Sequence, residues 1–383
     1  MQLVIVFLLS ALLPLSLSHR QDPLGWLYAP RAQGYFLGTL QADAAAADCP
    51  DECDCPPSFP VAMYCDGRGL TAMPNIPSRI KYLYLQDNAI TAIPDSALSN
   101  ATNLVWLMIN DNQLTSEAID TKVFLKLGSL ERLYLQHNNL SSIPVNLPRS
   151  LRDLRINHNM IEKVTPADLE GMDNLTIFYL HDNAITDIGS SLKALKSLTL
   201  LDISGNRLTK VPEGLPEHLH QLYLESNSIE SLPEGFLGGF NQLEYIRMAH
   251  NQLTDKGIPP STFNVSGLVE LDLSFNKLER IPSVSSTLQH LYLQANKIKG
   301  THLMSFKEIV FKDQKYIIMW KCFTYYLFLS SAAEFTLGSF CGLMDITNFS
   351  KLQTLRLDGN EISREDIPTE SALCLRQAST IEV

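Results

Sequence analysis

One alternation of apolar and polar positions recurs eleven times between Ile80 and Ile362, in the form L-x-x-L-x-L-x-x-N-x-L. It reads IKYLYLQDNAI from Ile80, LVWLMINDNQL from Leu104, LERLYLQHNNL from Leu130 and LRDLRINHNMI from Leu151. It continues as LTIFYLHDNAI from Leu175, LTLLDISGNRL from Leu198, LHQLYLESNSI from Leu219 and LEYIRMAHNQL from Leu243. LVELDLSFNKL from Leu268, LQHLYLQANKI from Leu288 and LQTLRLDGNEI from Leu352 complete the series. Within each string the L-x-L step has period two, which predicts a short strand with its leucines turned inward and the residues between them turned outward.

No single string can bury its apolar edge alone, so the strings must stack and bury it against one another. Stacking places Asn88, Asn112, Asn138, Asn159, Asn183, Asn206, Asn227, Asn251, Asn276, Asn296 and Asn360 in one column where the chain turns. A buried side-chain amide there can bond backbone groups that the turn would otherwise leave unpaired. The expected fold class is an α/β leucine-rich repeat solenoid, a curved right-handed superhelix with a concave parallel β-sheet, disulfide-capped at both ends. The asparagines are spaced 24, 26, 21, 24, 23, 21, 24, 25 and 20 residues apart, and then 64.

The flanks and the long gap set the expected organisation. Residues 1–18 are an apolar run with small residues at Ser16 and Ser18, expected to be a secretory signal peptide. Residues 19–48 form a tail, 49–77 a cysteine-rich cap and 78–299 repeats 1–10. Residues 300–333 are a non-repeat insertion holding YIIMWKCFTYYLFL and the odd Cys322. It reads as a retained intron, or alternatively as an isoform-specific apolar loop. Residues 334–383 are expected to hold an extended ear repeat, the last repeat and a C-terminal cap. Cys49, Cys53, Cys55 and Cys65 stand directly before the first repeat, and Cys341 and Cys374 bracket the last. In an oxidising compartment these read as bridges closing the exposed apolar ends, ahead of a zinc site at the first four. Sequons at Asn100, Asn139, Asn174, Asn264 and Asn348 are glycosylation candidates. Thirty Lys and Arg against 41 Asp and Glu leave a net charge of −11, which argues against nucleic acid as a partner. No membrane span is expected after Cys374.

The cap spacing C-x3-C-x-C-x9-C, the repeats and the sequons together resemble the class II small leucine-rich proteoglycans of extracellular matrix. The likeness covers 49–299 and 334–383, including CPDECDCPPSFPVAMYCD from Cys49, NLPRSLRDL from Asn146 and LCLR from Leu373. It implies a secreted matrix protein that binds fibrillar collagen (type I or II) and regulates fibril assembly, with no catalysis and no cofactor. It further implies the pairs Cys49–Cys55, Cys53–Cys65 and Cys341–Cys374, and N-linked chains that include keratan sulfate. Growth-factor binding, with sequestration of transforming growth factor beta, is the alternative function. Two departures stand out. The family's sulfated tail is rich in tyrosine and acid, whereas 19–48 holds only Tyr28 and Tyr35, with no acid beside either. The family's collagen-contacting pair in the last repeat is a Glu and a Lys two residues on. Here Glu361 is followed by Ser363 and Arg364, so Glu361, Arg364 and Arg356 are the collagen-binding candidates.

One outward column of the expected sheet reads Tyr84, Met108, Tyr134, Arg155, Tyr179, Asp202, Tyr223, Arg247, Asp272, Tyr292 and Arg356. Tyr and Arg are enriched at interface hot spots, which makes Tyr84, Tyr134, Arg155, Tyr179, Tyr223, Arg247 and Tyr292 the concave-face candidates. A homodimer through the same face is left open. The chain holds no G-x-S-x-G elbow, phosphate loop or H-E-x-x-H. His137, His158 and His181 fall on consecutive repeats and are expected to be solvated turn residues without a metal, for want of supporting carboxylates.

Overall fold

The structure, a computed structural model, describes residues 48–299, 351–362 and 378–383. The signal peptide, almost all of the tail, the insertion, the ear, Cys341, Cys374, Asn348, Ser363 and Arg364 lie outside the described residues. Thirteen three-residue strands form one sheet in strict chain order, and every pairing is parallel. The eleven repeats supply β2 (Tyr82–Tyr84), β3 (Trp106–Met108), β4 (Arg132–Tyr134), β5 (Asp153–Arg155), β6 (Ile177–Tyr179) and β7 (Leu200–Asp202). They continue with β8 (Gln221–Tyr223), β9 (Tyr245–Arg247), β10 (Glu270–Asp272), β11 (His290–Tyr292) and β12 (Thr354–Arg356). Two further strands lengthen the sheet beyond the repeats, β1 (Ala62–Tyr64) at one end and β13 (Thr380–Glu382) at the other.

The inward leucines stack into a single core. Leu83, Leu107, Leu133, Leu154, Leu201, Leu222, Leu271, Leu291 and Leu355 are all fully buried, each pressed between its counterparts on the neighbouring turns. Return segments on the convex side contain short 3-10 turns, such as Pro166–Leu169 and Ser191–Ala194, and no α-helix appears among the described residues. At the N-terminal end the open edge of the core is covered by Met63 and Cys65, both buried. Cys49 is bonded to Cys55 and Cys53 to Cys65, and Asp54 bridges antiparallel to Tyr64. The Cys53–Cys65 bond and the Asp54–Tyr64 bridge tie the cap to β1 and so to the first repeat.

The asparagine column does what its chemistry allows. Asn227 is representative: its Oδ1 accepts the Leu208 N–H at 3.0 Å, one turn back. Its Nδ2 donates to Ile203 O of the preceding turn and to Leu224 O and Glu225 O of its own turn, at 3.1–3.2 Å. The same pattern repeats from Asn112 to Asn296. The column crosses the 64-residue gap without a break: Asn360 Oδ1 takes the Ile298 N–H and its Nδ2 reaches Leu293 O. β11 and β12 pair directly, His290 opposite Thr354.

The residue before each ladder asparagine has a positive φ on all eleven turns: Asp87, Asp111, His137, His158, Asp182, Gly205, Ser226, His250, Phe275, Ala295 and Gly359. Left-handed backbone suits Gly, Asp and His better than bulky residues. This position therefore forms a second continuous column at the edge of the sheet face. Replacing Asn227 by Ala removes one acceptor and three donated bonds from buried backbone. We expect a loss of about 2–4 kcal/mol, given the cost of orphaned buried groups, measurable by guanidinium denaturation; a loss below 0.5 kcal/mol (roughly one weak surface bond) would show the ladder to be dispensable.

Candidate functional site

The register that stacks the leucines also stacks the residues between them. Tyr84, Met108, Tyr134, Arg155, Tyr179, Asp202, Tyr223, Arg247, Asp272, Tyr292 and Arg356 are paired neighbour to neighbour across the sheet. The cap strands add two members that the repeat template does not contain. Tyr64 stacks on Tyr84 with ring centroids 4.6 Å apart, and the Glu382 carboxylate takes Arg356 Nε at 2.7 Å.

On the face, cations of the row and of the neighbouring outward position are held by aromatic rings, by carboxylates or by both. Arg155 lies over Tyr134 at 4.4 Å and Tyr179 at 5.2 Å, and its Nε and Nη2 each reach Asp153 at 3.3 Å. Arg247 sits over Tyr223 at 5.2 Å and donates from Nε to Glu270 Oε1 at 2.7 Å. Arg132 covers Trp106 at 4.3 Å, and Arg356 makes a forked pair with Asp358, both bonds 3.1 Å. Burial works against the charge on Arg155 and Arg247, but the Asp153 and Glu270 carboxylates more than offset it and hold both above the usual guanidinium range. Burial, reinforced by Glu270, pushes the Tyr223 phenol up to about 12. Burial and Asp153 raise Tyr134 further still. The face is thus a fixed array of guanidinium charges and neutral phenols, pre-ordered before any partner arrives.

Individual candidates fare differently. Tyr84, Tyr179, Tyr223, Arg155, Arg247, Tyr292 and Arg356 are partly exposed on the sheet face. Tyr134 is a correction. It is only 3% exposed and donates its hydroxyl to Asp153 Oδ2 at 2.8 Å, because Arg155 covers its ring. Tyr134 holds the arginine in place and presents little surface of its own. Glu361 is 62% exposed and pairs with Lys299 Nζ at 3.2 Å. The histidines are a second correction. His181 is half-buried, and carboxylates do stand beside it: Asp182 from its own turn and Asp202 from β7. Asn100, Asn139, Asn174 and Asn264 are all exposed.

The comparisons with known proteins place this geometry. A leucine-rich repeat family model matches residues 78–143 and 149–208. Fibromodulin from Bos taurus is 50% identical over 88% of this chain and 80% of its own length, and fibromodulin from Gallus gallus is 47% identical over 94% and 87%. Lumican from Gallus gallus is 42% identical over 88% and 90%. The chain belongs to the small leucine-rich proteoglycans, in the fibromodulin and lumican family. Among solved structures, an internalin from Listeria monocytogenes superposes with a TM-score of 0.55 over 84% of this chain and 86% of the other, at 21% identity, which speaks for the fold alone. As a small leucine-rich proteoglycan this is an extracellular-matrix protein, and its relatives are structural proteoglycans. No helix among the described residues is long and apolar enough to cross a membrane.

The clamp on Arg155 carries a direct test. Arg155→Ala removes the counter-charge of the buried Asp153 carboxylate and leaves it only the Tyr134 hydroxyl, and stability should fall by about 2–4 kcal/mol, as for other broken buried pairs. Arg155→Lys should recover little of it, since a point charge neither forks nor stacks as guanidinium does. Chemical denaturation of both variants decides, and full recovery by Lys would reduce the clamp to simple charge pairing.

Proposed function

We propose that this protein binds fibrillar collagen along its concave sheet face and regulates the assembly of collagen fibrils. The observation that carries the reading is the row from Tyr64 to Arg356, in which the partly exposed Tyr84, Tyr179, Tyr223 and Tyr292 and the clamped Arg155, Arg247 and Arg356 are interleaved with the buried Met108, Tyr134 and Asp202. Adjacent strands lie about 4.8 Å apart, so a row of this length extends roughly 50 Å. Collagen is a rigid rod of three polyproline-II chains. Such chains are recognised by aromatic surfaces that accept proline rings, with donors for the exposed carbonyls. Tyr rings supply the first, and guanidinium N–H groups and phenol hydroxyls the second. Pre-ordered side chains lose little entropy on binding, which favours a shallow contact with a rigid ligand.

The C-terminal end of the row is the part we assign to the tightest contact. There Tyr292 pairs with Arg356 across the sheet, Asp358 and Glu382 hold the arginine, and the exposed Glu361 follows on the same turn, paired with Lys299. Family relationship supports the same end, with Arg364 as the further cation. Growth-factor binding stays the less supported use of the molecule, since no feature of the face selects it over the rod. Glycans at Asn100, Asn139, Asn174 and Asn264, some of them keratan sulfate, belong to the same reading, with Asn348 as the fifth.

Two experiments test this. In a collagen I binding and fibril-turbidity assay, Arg356→Ala with Glu361→Ala should weaken binding at least tenfold and abolish the delay in fibril growth. Tyr223→Ala with Arg247→Ala should weaken it less. Unchanged binding in both double variants would remove collagen from this face. Peptide mapping after enzymatic deglycosylation should find Asn converted to Asp at the four exposed sequons, whereas unmodified asparagine at all of them contradicts the proteoglycan reading.

A further inference from the structure

We propose that His158, His181 and Asp182 form a binding site for a zinc-type divalent cation at the edge of the sheet face. One donor atom from each lies within 4.8 Å of the others. His158 Nε2 is 3.3 Å from Asp182 Oδ2, and His181 Nε2 is 4.0 Å from the same oxygen. In a tetrahedral zinc site with bonds of about 2.0–2.1 Å, neighbouring donors are roughly 3.3–3.4 Å apart. One edge of that figure is already present, and small side-chain rotations close the other two.

The fold builds this cluster rather than leaving it to flexible surface side chains. His158 and Asp182 occupy the left-handed position before the ladder asparagine on adjacent turns, with φ of 52° and 53°, so the solenoid's own repeat sets them side by side. The next member of that column is Gly205. A Cβ there would overlap Asp182 Oδ1, so the missing side chain makes room for the carboxylate. On the other flank, His137 stacks on His158 with centroids 4.2 Å apart and planes 14° apart, fixing that ring's orientation.

His181 is oriented from behind. Its Nδ1 faces Asp202 Oδ2 at 3.2 Å, while its ring edge rests on Tyr179. Asp202 is fully buried, and its other oxygen takes the Ser204 N–H at 3.1 Å and the Ser204 hydroxyl at 2.6 Å. The Asp202 charge, 3.2 Å from Nδ1 though not aligned with it as a hydrogen bond, favours the proton on Nδ1 and so the lone pair on Nε2, the nitrogen that faces Asp182. Histidines that bind metals carry this kind of supporting carboxylate. Two imidazoles and one carboxylate suit zinc, and copper(II) or nickel(II) next, better than calcium or magnesium, which require more oxygen donors. A fourth position opens toward the groove lined by Ser204, Glu225 and Ser226, where water or an acidic group of a partner can complete the shell. The site stands on geometry separate from the collagen reading.

The test is isothermal titration of the secreted, EDTA-treated full chain with zinc chloride, with calcium chloride as comparison. One zinc per chain is expected at micromolar affinity or better, with calcium at least 100-fold weaker. His158→Gln, His181→Gln and Asp182→Asn should each cost tenfold or more, Gly205→Ala should do the same by displacing Asp182, and Asp202→Asn should cost about tenfold through the orientation of His181. His218→Gln, at an exposed histidine elsewhere, should change nothing. Should a variant fail to fold, cobalt(II) bound to the unaltered chain gives an independent readout through the intense visible bands of four-coordinate nitrogen–oxygen ligation. Zinc affinity weaker than millimolar, or full affinity retained when all three ligands are replaced together, would overturn the proposal.

Discussion

Every turn of this solenoid must carry backbone out of a strand and round a tight bend in the interior, and one side-chain amide per turn is what permits it. Each asparagine from Asn112 onward accepts one N–H from the preceding turn, Asn88 accepts two from the cap, and all donate to carbonyls on their own and the preceding turn. A buried backbone group without a partner costs more than an ordinary hydrogen bond contributes. The bend is therefore held to one geometry, including the left-handed residue just before the asparagine. Turn lengths on the convex side are free to differ, and they do, while the strand side cannot slip. The ladder even steps from Asn296 to Asn360 as though they were 20-odd residues apart.

That invariance turns positions in the repeat into straight rows on the surface. The leucine rows become the core. The rows between them bring residues about 20 apart in sequence into contact, so one arginine can rest on tyrosines of two neighbouring strands and still reach a carboxylate. A surface ordered in this way is stiff, charged and aromatic at fixed intervals, and a long rigid ligand is the partner such a surface suits. The same repetition places His158 beside Asp182 at the edge of the face. Binding chemistry along this molecule is set by which residue each turn contributes to a row.

Much of this was legible in the chain. The eleven strings, the asparagine column, the inward leucines and the outward row from Tyr84 to Arg356 all follow from a period-two strand and a period near 24. What escaped has physical causes. Tyr134 looks like its neighbours in sequence, yet its burial depends on Arg155 folding back over it, a contact between two turns. Tyr64 and Glu382 extend the row from segments that lack the repeat pattern, so no template points to them. The carboxylates around the histidines come largely from neighbouring turns, which no single string displays. Asp182 supports His158 from the next turn, and Asp202 supports His181 from the strand after that. The position they share before the ladder asparagine is the signal that sets His158 and Asp182 side by side.

The central claim is that one continuous sheet face, rather than the convex side, meets the ligand. Hydroxyl-radical footprinting of the secreted protein, alone and on assembled collagen I, tests it most directly. The account predicts protection of Tyr179, Tyr223 and Tyr292 on the face, strongest at the C-terminal end, with convex-side residues such as Phe236 unchanged. Protection confined to the convex side, with the tyrosine row as reactive as in the free protein, would contradict it.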